Sequence, residues 1–214
     1  MIIILTLGFD EKFALRAVAR RGLTPQDEVL VILAEPVDER VERAYRQLKD
    51  LIKKIYDQAC VNSVTVDAKN FDAALNVLVE EFSKRRKSEF IINLSGGFRA
   101  LILEVLAAAL LADVKGEVES ELEDFTKVIT FPLTILKPIN VDNTDLRIMS
   151  LLGESELTLS TLTTRTGLGK TTVWRRLKRL EEVGLASHQR LYKLTSLGLL
   201  TLKVKGVPDY KKEK

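Results

Sequence analysis

The sequence has few of the residues from which disulfides and metal centres are built. Its 214 residues include one cysteine, Cys60, and one histidine, His188. A single cysteine excludes a disulfide within the chain and leaves no cysteine cluster for a metal ion. We therefore expect neither a disulfide scaffold nor a metal or other resident cofactor.

Long apolar runs are lacking as well. The longest apolar stretch, Leu101–Ala112, is interrupted by Glu104 and is too short to cross a bilayer. The opening stretch Met1–Leu5 has neither the basic flank nor the cleavage site of a signal peptide, so it indicates a buried strand. These features predict a cytoplasmic protein without a membrane partner.

The net charge of +3 is unevenly distributed along the chain. Residues 1–138 carry 19 Lys and Arg against 22 Asp and Glu, whereas residues 139–214 carry 14 against 8. Small domains often differ by a few charges for no functional reason. The asymmetry nevertheless fits a near-neutral sensor that is joined to a basic reader of nucleic acid.

Strand and helix patterns alternate four times in the first half of the chain. Strands are predicted at Ile2–Leu7, Val29–Ala34, Val61–Val66 and Phe90–Leu94. Helices are predicted at Asp10–Arg21, Val37–Gln58 with Pro36 at its start, Phe71–Arg86 and Phe98–Ala112, the last buried on most sides. Glu117–Leu122 and Lys127–Leu133 form a predicted hairpin that extends the sheet antiparallel. Apolar strands without polar alternation predict an α/β fold, a Rossmann-like, doubly wound and mainly parallel sheet.

Short helices replace this pattern after a linker at residues 136–140. The predicted helices are Asp145–Leu152, Thr158–Thr166, Lys170–Val183 and Thr195–Lys203, with Gly153, Gly167 and Gly184 as stops. A small ribbon, Leu185–Ser187 with Leu191–Leu194, lies before the last helix. This order is that of a C-terminal winged helix-turn-helix. We therefore divide the chain into domains 1–136 and 137–214.

The third of these helices has the side chains of a DNA reader. Its inward stripe is apolar, and its opposite face carries hydroxyl and cationic groups that suit base edges and phosphates. The residues expected to contact DNA are Lys170, Thr171, Thr172, Arg175, Arg176 and Arg179 in the helix and His188, Arg190 and Lys193 in the wing. A solvated basic face is the alternative, and Trp174 is expected to pack rather than to touch DNA.

Two loops that follow strands one and four have the composition of an anion site. The first is Leu7-Gly8-Phe9-Asp10, and the second runs from Asn93 to Arg99 through Ser95-Gly96-Gly97-Phe98. Glycines allow the backbone to approach a ligand closely, and the start of a helix favours an anion. Neither the dinucleotide motif G-x-G-x-x-G nor a P-loop lysine occurs. A plain strand-to-helix turn is the alternative.

The spacing Asn93-x-Ser95-x-x-x-Arg99, with the Gly8-Phe9-Asp10 turn after the first strand, resembles the CARF (CRISPR-associated Rossmann fold) domain. With the winged helix-turn-helix, the whole chain resembles archaeal CRISPR-associated transcriptional regulators of the type I-A kind. The resemblance implies a homodimer with a composite pocket on its two-fold axis. The ligand implied is a cyclic oligoadenylate of antiviral signalling, commonly cyclic tetra-adenylate. The implied ligand residues are Leu7, Gly8, Phe9, Asp10, Asn93, Ser95, Gly96, Gly97, Phe98 and Arg99.

These features together favour a dimeric transcription regulator that binds double-stranded DNA under the control of the ring. Some relatives of this kind cleave the ring, which needs groups that move protons and stabilise charge on phosphate. The strand-end loops contain no histidine, and Asp10 is their only acid. We therefore favour binding over catalysis. A ring nuclease and a regulator outside CRISPR that senses a mononucleotide remain as alternatives.

DNA binding by such a basic module should weaken steeply as salt rises, because each neutralised phosphate releases counterions. We expect the affinity for duplex DNA to fall by tenfold or more over a severalfold increase in salt. Fluorescence anisotropy titrations at several salt concentrations measure this. No salt-sensitive binding at micromolar protein would contradict the DNA-binding interpretation.

Overall fold

The computed structural model describes residues 1–137 and 139–206. The chain divides into two compact units, Met1–Leu133 and Thr134–Lys214. Pro138 of the predicted linker and the lysine-rich end Lys211–Lys214, for which the sequence predicts fraying, lie outside the described residues. Each unit is considered separately below.

The first unit is a six-stranded sheet with helices on both faces. Its elements are β1 (Ile2–Thr6), α1 (Lys12–Arg21), β2 (Glu28–Ala34), α2 (Glu39–Ile55), β3 (Cys60–Val66), α3 (Phe71–Lys84), β4 (Glu89–Asn93), α4 (Arg99–Leu111), β5 (Lys115–Glu121) and β6 (Val128–Pro132). The strand order is β3-β2-β1-β4-β5-β6, and only β6 runs antiparallel to its neighbour. The predicted α/β class and mainly parallel sheet are confirmed.

The strands are apolar because both faces of the sheet are covered. Successive residues of β1 enter opposite cores: Ile3 and Leu5 pack with α1 and α2, whereas Ile2 and Ile4 pack with α3 and α4. Every residue of β1 is buried. A strand in this position has no solvent face, which explains the lack of polar alternation in its sequence.

Two predicted helices differ from those observed. Pro36 lies before α2 rather than in its first turn, and the Asp38 side chain caps the helix by accepting the backbone N–H of Arg40 at 2.8 Å. Helix α4 is not buried on most sides, since Leu103 and Leu111 are 61% and 65% exposed. Composition alone cannot reveal this, because an apolar face that meets water has the same sequence as one that meets protein.

Strand β5 carries buried carboxylates that arginines of α1 neutralise. Glu121 accepts hydrogen bonds from Arg16 and Arg20, both at 2.7 Å, and Glu119 accepts one from Arg21 at 2.7 Å. Burial by itself would raise the pKa of Glu121, but the hydrogen bonds from the two arginines outweigh burial and lower that pKa. The network ties α1 to the strand beside β4.

The second unit contains α5 (Asn143–Glu154), α6 (Leu159–Thr166), α7 (Lys170–Glu182), β7 (Ala186–His188), β8 (Tyr192–Leu194) and α8 (Ser196–Lys205). A bridge between Leu157 and Tyr192 adds a third short strand segment to the ribbon. The predicted order of helices and wing is confirmed. Gly153, which was predicted to end the first of these helices, is the penultimate residue of α5. A Cβ at this glycine would lie 3.2 Å from the Leu202 side chain, so close packing against α8 explains the glycine.

Neither unit offers a membrane span or a metal centre in the part of the chain that the structure describes. No helix there is long and apolar enough to cross a bilayer. No three His, Cys, Asp or Glu side chains gather there as metal ligands.

Replacing Glu121 by glutamine should lower the free energy of unfolding by about 1.5–3 kcal/mol, because charge-assisted hydrogen bonds are lost. Urea denaturation measures this. Since the folded pKa lies below the ordinary glutamate value of about 4.3, the stabilisation is complete above that pH and disappears as the pH falls through the lowered pKa. The difference in the free energy of unfolding between the variant and the unaltered protein should therefore shrink as the pH falls through this range.

Glu117→Gln is the matched control. Glu117 pairs with Arg21 at 2.9 Å but is 43% exposed, so its loss should cost less than about 1 kcal/mol. An equal loss of unfolding free energy in the two variants would contradict a special role for the buried Glu121 carboxylate.

Candidate ligand pocket and nucleic-acid interface

The pairing of β1 with β4 brings the two predicted ligand loops into contact. Thr6, at the end of β1, donates its hydroxyl hydrogen bond to the Gly96 carbonyl at 2.6 Å. A Cβ at Gly96 would lie 2.8 Å from the Thr6 carbonyl oxygen, and one at Gly8 would lie 3.1 Å from the Gly97 nitrogen. Gly97 itself has a φ of +86°. The loops can approach this closely only because glycine occupies these positions.

A cavity of about 290 Å³ opens between these loops. Its lining combines the first loop with the second and with one residue of α1: Gly8, Phe9, Asp10, Phe13, Ser95, Gly96, Gly97 and Phe98. Seven of the ten predicted ligand residues therefore surround one cavity. Phe13, which lies beyond the predicted loop, was missed because its position in α1 is indistinguishable in sequence from a core position.

Three predicted ligand residues lie outside this lining. Leu7 is 1% exposed and belongs to the apolar core. Asn93 is 1% exposed; its side chain donates to Glu119 at 3.3 Å and accepts the backbone N–H of Ser95 at 3.2 Å, so it orients the loop. Arg99 is exposed at the first position of α4. Within the described residues its guanidinium has no partner.

The Ser95 hydroxyl is oriented by strand β5. Its oxygen accepts the backbone N–H of Glu121 at 2.8 Å, so the hydroxyl hydrogen remains free to be donated. The following helix α4 has Phe98 at its N-cap and no side-chain cap. Its first backbone N–H groups therefore point beyond the helix without a capping oxygen, beside Ser95 and Arg99. This collection of donors and positive charge suits an oxyanion.

An aromatic pair forms one wall of the cavity. The rings of Phe9 and Phe98 meet edge to face with centroids 5.6 Å apart, and both side chains are more than 40% exposed. The guanidinium of Arg40 lies over the Phe9 ring at 4.0 Å from its centroid. Sequence reasoning does not find Arg40, because it begins a different helix and no local pattern connects it with Phe9.

Asp10 is engaged at the start of α1. Its carboxylate accepts the Lys12 backbone N–H at 2.8 Å and lies 3.1 Å from the Lys12 ammonium. The hydrogen bond from the Lys12 backbone is the main cause that lowers the pKa of Asp10. The charge of the Lys12 side chain lowers it further. Asp10 is therefore an ionised group that shapes the loop.

Helix α7 presents a subset of the predicted DNA residues to solvent. Lys170, Thr171 and Arg175 are exposed, and Thr172 is half-buried. Val173, Leu177 and Leu180 are buried as the stripe predicts. Trp174, which was expected to pack, is 47% exposed and stands on the outer face.

Arg176 and Arg179 are held within the unit. Arg176 donates to Asp142 at 2.5 Å and to Asp145 at 3.3 Å, while Arg179 donates to the Asn140 carbonyl at 2.7 Å. Asp142 and Asp145 form the capping box of α5, and Asp145 is fully buried. The two arginines thus fasten α7 to the start of α5, which sequence spacing does not reveal.

The wing carries its predicted DNA-contact residues at the surface. His188 stacks on Tyr192 with ring centroids 4.0 Å apart, and Lys193 lies 3.7 Å from Glu156. Arg190, at the tip of the ribbon, is exposed. These groups surround the exposed end of the β7–β8 ribbon as a DNA-flanking wing requires.

Residues 1–132 match the family model of the Csa3 CRISPR-associated Rossmann-like domain. The chain belongs to this family. Residues 141–185 match a winged helix-turn-helix DNA-binding model. The resemblance to CARF domains followed by a winged helix is therefore confirmed, and this Csa3-family chain carries a DNA-binding module. No curated protein matches the chain.

Solved structures of similar topology share little sequence with this chain. Protein VC1899 from Vibrio cholerae is 14% identical with a TM-score of 0.46, over 94% of this chain and 63% of that one. Can2 from Sulfobacillus thermosulfidooxidans, solved with cyclic tetra-adenylate, is 10% identical with a TM-score of 0.47, over 94% and 62%. Enterococcus italicus Csm6, bound to cyclic hexa-2'-fluoro-hexa-dAMP, is 14% identical with a TM-score of 0.47, over 85% and 54%. This chain thus spans between about half and two thirds of their length.

Arg175→Ala and Arg176→Ala should have different effects. Loss of the exposed Arg175 should weaken duplex binding about tenfold, as loss of one base or phosphate contact does, without changing thermal stability. Loss of Arg176 should lower the free energy of unfolding by more than about 1 kcal/mol, because the Asp142–Asp145 cap loses its partner. Anisotropy titration and thermal denaturation measure the two quantities. Unaltered DNA affinity in Arg175→Ala would be the contradicting result.

Proposed function

We propose that the protein is a homodimeric transcriptional regulator of CRISPR-associated genes whose binding to double-stranded DNA is controlled by a cyclic oligoadenylate. The observation that carries this proposal is that the two glycine loops line one cavity at the carboxyl ends of β1 and β4. Ligands of doubly wound sheets bind at this kind of position, where the strand order reverses.

The proposed ligand is a ring of phosphodiesters, and the cavity offers what a phosphate needs. The Ser95 hydroxyl is free to donate, and the first N–H groups of α4 have no side-chain cap. Arg99, which follows the lining residue Phe98, adds a positive charge beside the cavity. Backbone donors at a helix start bind anions without a metal ion. Cyclic tetra-adenylate is the ligand we favour.

The exposed face of α4 supports the proposed dimer. Leu103, Ala107 and Leu111 follow one another at spacings of four, and the two leucines are 61% and 65% exposed. A dimer formed along this stripe would bring two copies of the β4–α4 loop close together. A two-fold ring would then meet the same groups from both subunits.

The chemistry of the cavity supports binding rather than ring cleavage. Ser95 accepts a backbone N–H, and no histidine lies among the described residues that line the cavity. Asp10, the one acid of that lining, is ionised and bound to Lys12. Because its pKa is lowered, Asp10 is a weak base for taking a proton from a ribose hydroxyl.

The regulation we propose is a shift between two arrangements of the dimer. The ring must bind one arrangement better than the other, and the spacing of the two α7 helices must differ between them. The coupling would typically change DNA affinity by about 5- to 150-fold. The direction of the change decides whether the ring releases or recruits the protein.

DNA binding to the promoters of the neighbouring CRISPR-associated genes, with and without saturating cyclic tetra-adenylate, tests this function. We expect a change in affinity of at least fivefold with the ring. Arg99→Ala should weaken ring binding about tenfold or more, because a charge-assisted hydrogen bond is lost in each subunit, and should leave DNA binding without the ring unchanged.

Arg43→Ala is the matched control, because Arg43 is exposed on α2 and has no partner within the described residues. It should leave both binding events unchanged. Unchanged DNA affinity at saturating ring would refute the coupling, and sedimentation as a monomer would refute the dimer. Linear oligoadenylates formed from the ring would favour the nuclease alternative.

A further inference from the structure

A second cavity, of about 430 Å³, lies on the other side of the Phe9–Phe98 pair. The ends of β2 and β3 and the start of α4 form it, so the aromatic pair is a wall shared by both cavities. Its volume lies within the range of about 300–1,000 Å³ in which small-molecule pockets usually fall.

The lining of this second cavity is chemically unlike that of the first. Ala34, Ala68 and Ala100, with Pro36 and Val37, supply small apolar surfaces, and the two phenylalanines supply aromatic ones. Its charged groups are the carboxylates of Glu35 and Asp38 and the ammonium of Lys69, and Asp38 is paired with Arg40 at 3.0 Å. A flat apolar group that carries hydrogen-bond donors suits this lining, and a phosphate does not.

Glu104 is a buried acceptor for which the free protein provides no donor. It lies on α4 one turn beyond Ala100, so it shares the face of the helix that borders the cavity. The residue is 2% exposed, and its Oε2 atom has no hydrogen-bond partner in residues 1–137 and 139–206. Buried polar atoms are nearly always paired, so this one needs a reason.

Glu104 does not itself line the cavity, but it is buried directly behind the lining residue Ala100. Asp67, which immediately precedes the lining residues Ala68 and Lys69, is close enough to act on it. Burial, and then the charge of Asp67, raise the pKa of Glu104. A ligand N–H group at this point would satisfy the unpaired oxygen.

We propose that the second cavity is a subsite for a base with an exocyclic amino group, the adenine of the proposed ring, and that Glu104 accepts a hydrogen bond from this amino group. The inference rests on the proposed function and adds a specificity-determining residue to it. The glycine loops then bind phosphate, the second cavity binds the base, and the Phe9–Phe98 wall separates the two.

Calorimetry with cyclic tetra-adenylate and cyclic tetra-inosinate tests the subsite, because inosine has a carbonyl where adenosine has the amino group. The unaltered protein should bind the adenylate ring at least tenfold more tightly. Glu104→Met should lose most of this preference, and Glu104→Gln, which keeps a carbonyl acceptor of the same shape, should retain it. A purely structural role for Glu104 would not change the ratio of the two affinities.

Two further variants complete the test. Ala100→Leu, at an exposed position of the lining, should weaken binding of the adenylate ring by partly filling the cavity. Glu80→Met, at a glutamate that is 70% exposed on α3, is the matched control and should change neither affinity.

The outcomes separate this inference from the proposed function. If the unaltered protein binds the rings but Glu104→Met keeps its preference for adenylate, the subsite is wrong and the regulator stands. If the unaltered protein binds neither ring, the proposed function fails and the subsite with it. Thermal denaturation of each variant verifies that it is folded.

Discussion

Strands β1 and β4 pair in parallel at the centre of the sheet, with Ile2 beside Phe90 and Leu5 beside Asn93. This pairing is the constraint on which the candidate ligand pocket depends. It brings two loops that are almost ninety residues apart in the sequence into backbone contact, and glycines at 8, 96 and 97 make that contact sterically possible. Substitution of any one of them would move the Ser95 hydroxyl and the start of α4 relative to the first loop.

In both units, buried carboxylates paired with arginines fix the positions of neighbouring elements. In the first unit, the arginines of α1 neutralise Glu119 and Glu121, and these two residues in turn hold Asn93 and Ser95. In the second unit, Asp145 is buried beneath Arg176 and Arg179, so the helix that carries the predicted DNA contacts is fastened to the start of α5. An unpaired buried carboxylate would be costly, and each network therefore favours one arrangement of its elements.

Much of this protein could be predicted from local patterns. The four strand–helix repeats, the hairpin, the short helices and the wing follow from apolar periodicity and from glycine, which ends α6 at Gly167 and α7 at Gly184. The errors occurred where packing decides. Gly153 is the penultimate residue of α5 and packs closely against Leu202, and α4 looked buried although Leu103 and Leu111 are exposed. Arg176 and Arg179 remain predicted DNA contacts, but the fold also engages both in ion pairs with Asp145, which sequence spacing does not reveal.

The sequence by itself determined the class of each unit, the order of the elements and the two loops that could receive an anion, because those properties depend on residues that are near each other along the chain. Only the tertiary structure decided which loop residues share a cavity, which arginines remain exposed and where Glu104 is left without a partner. These depend on distances between elements that sequence spacing does not encode. A glutamate is the same residue in the sequence whether its buried carboxyl is paired or unpaired. Which of the two it becomes depends on the groups that the fold brings within hydrogen-bonding distance.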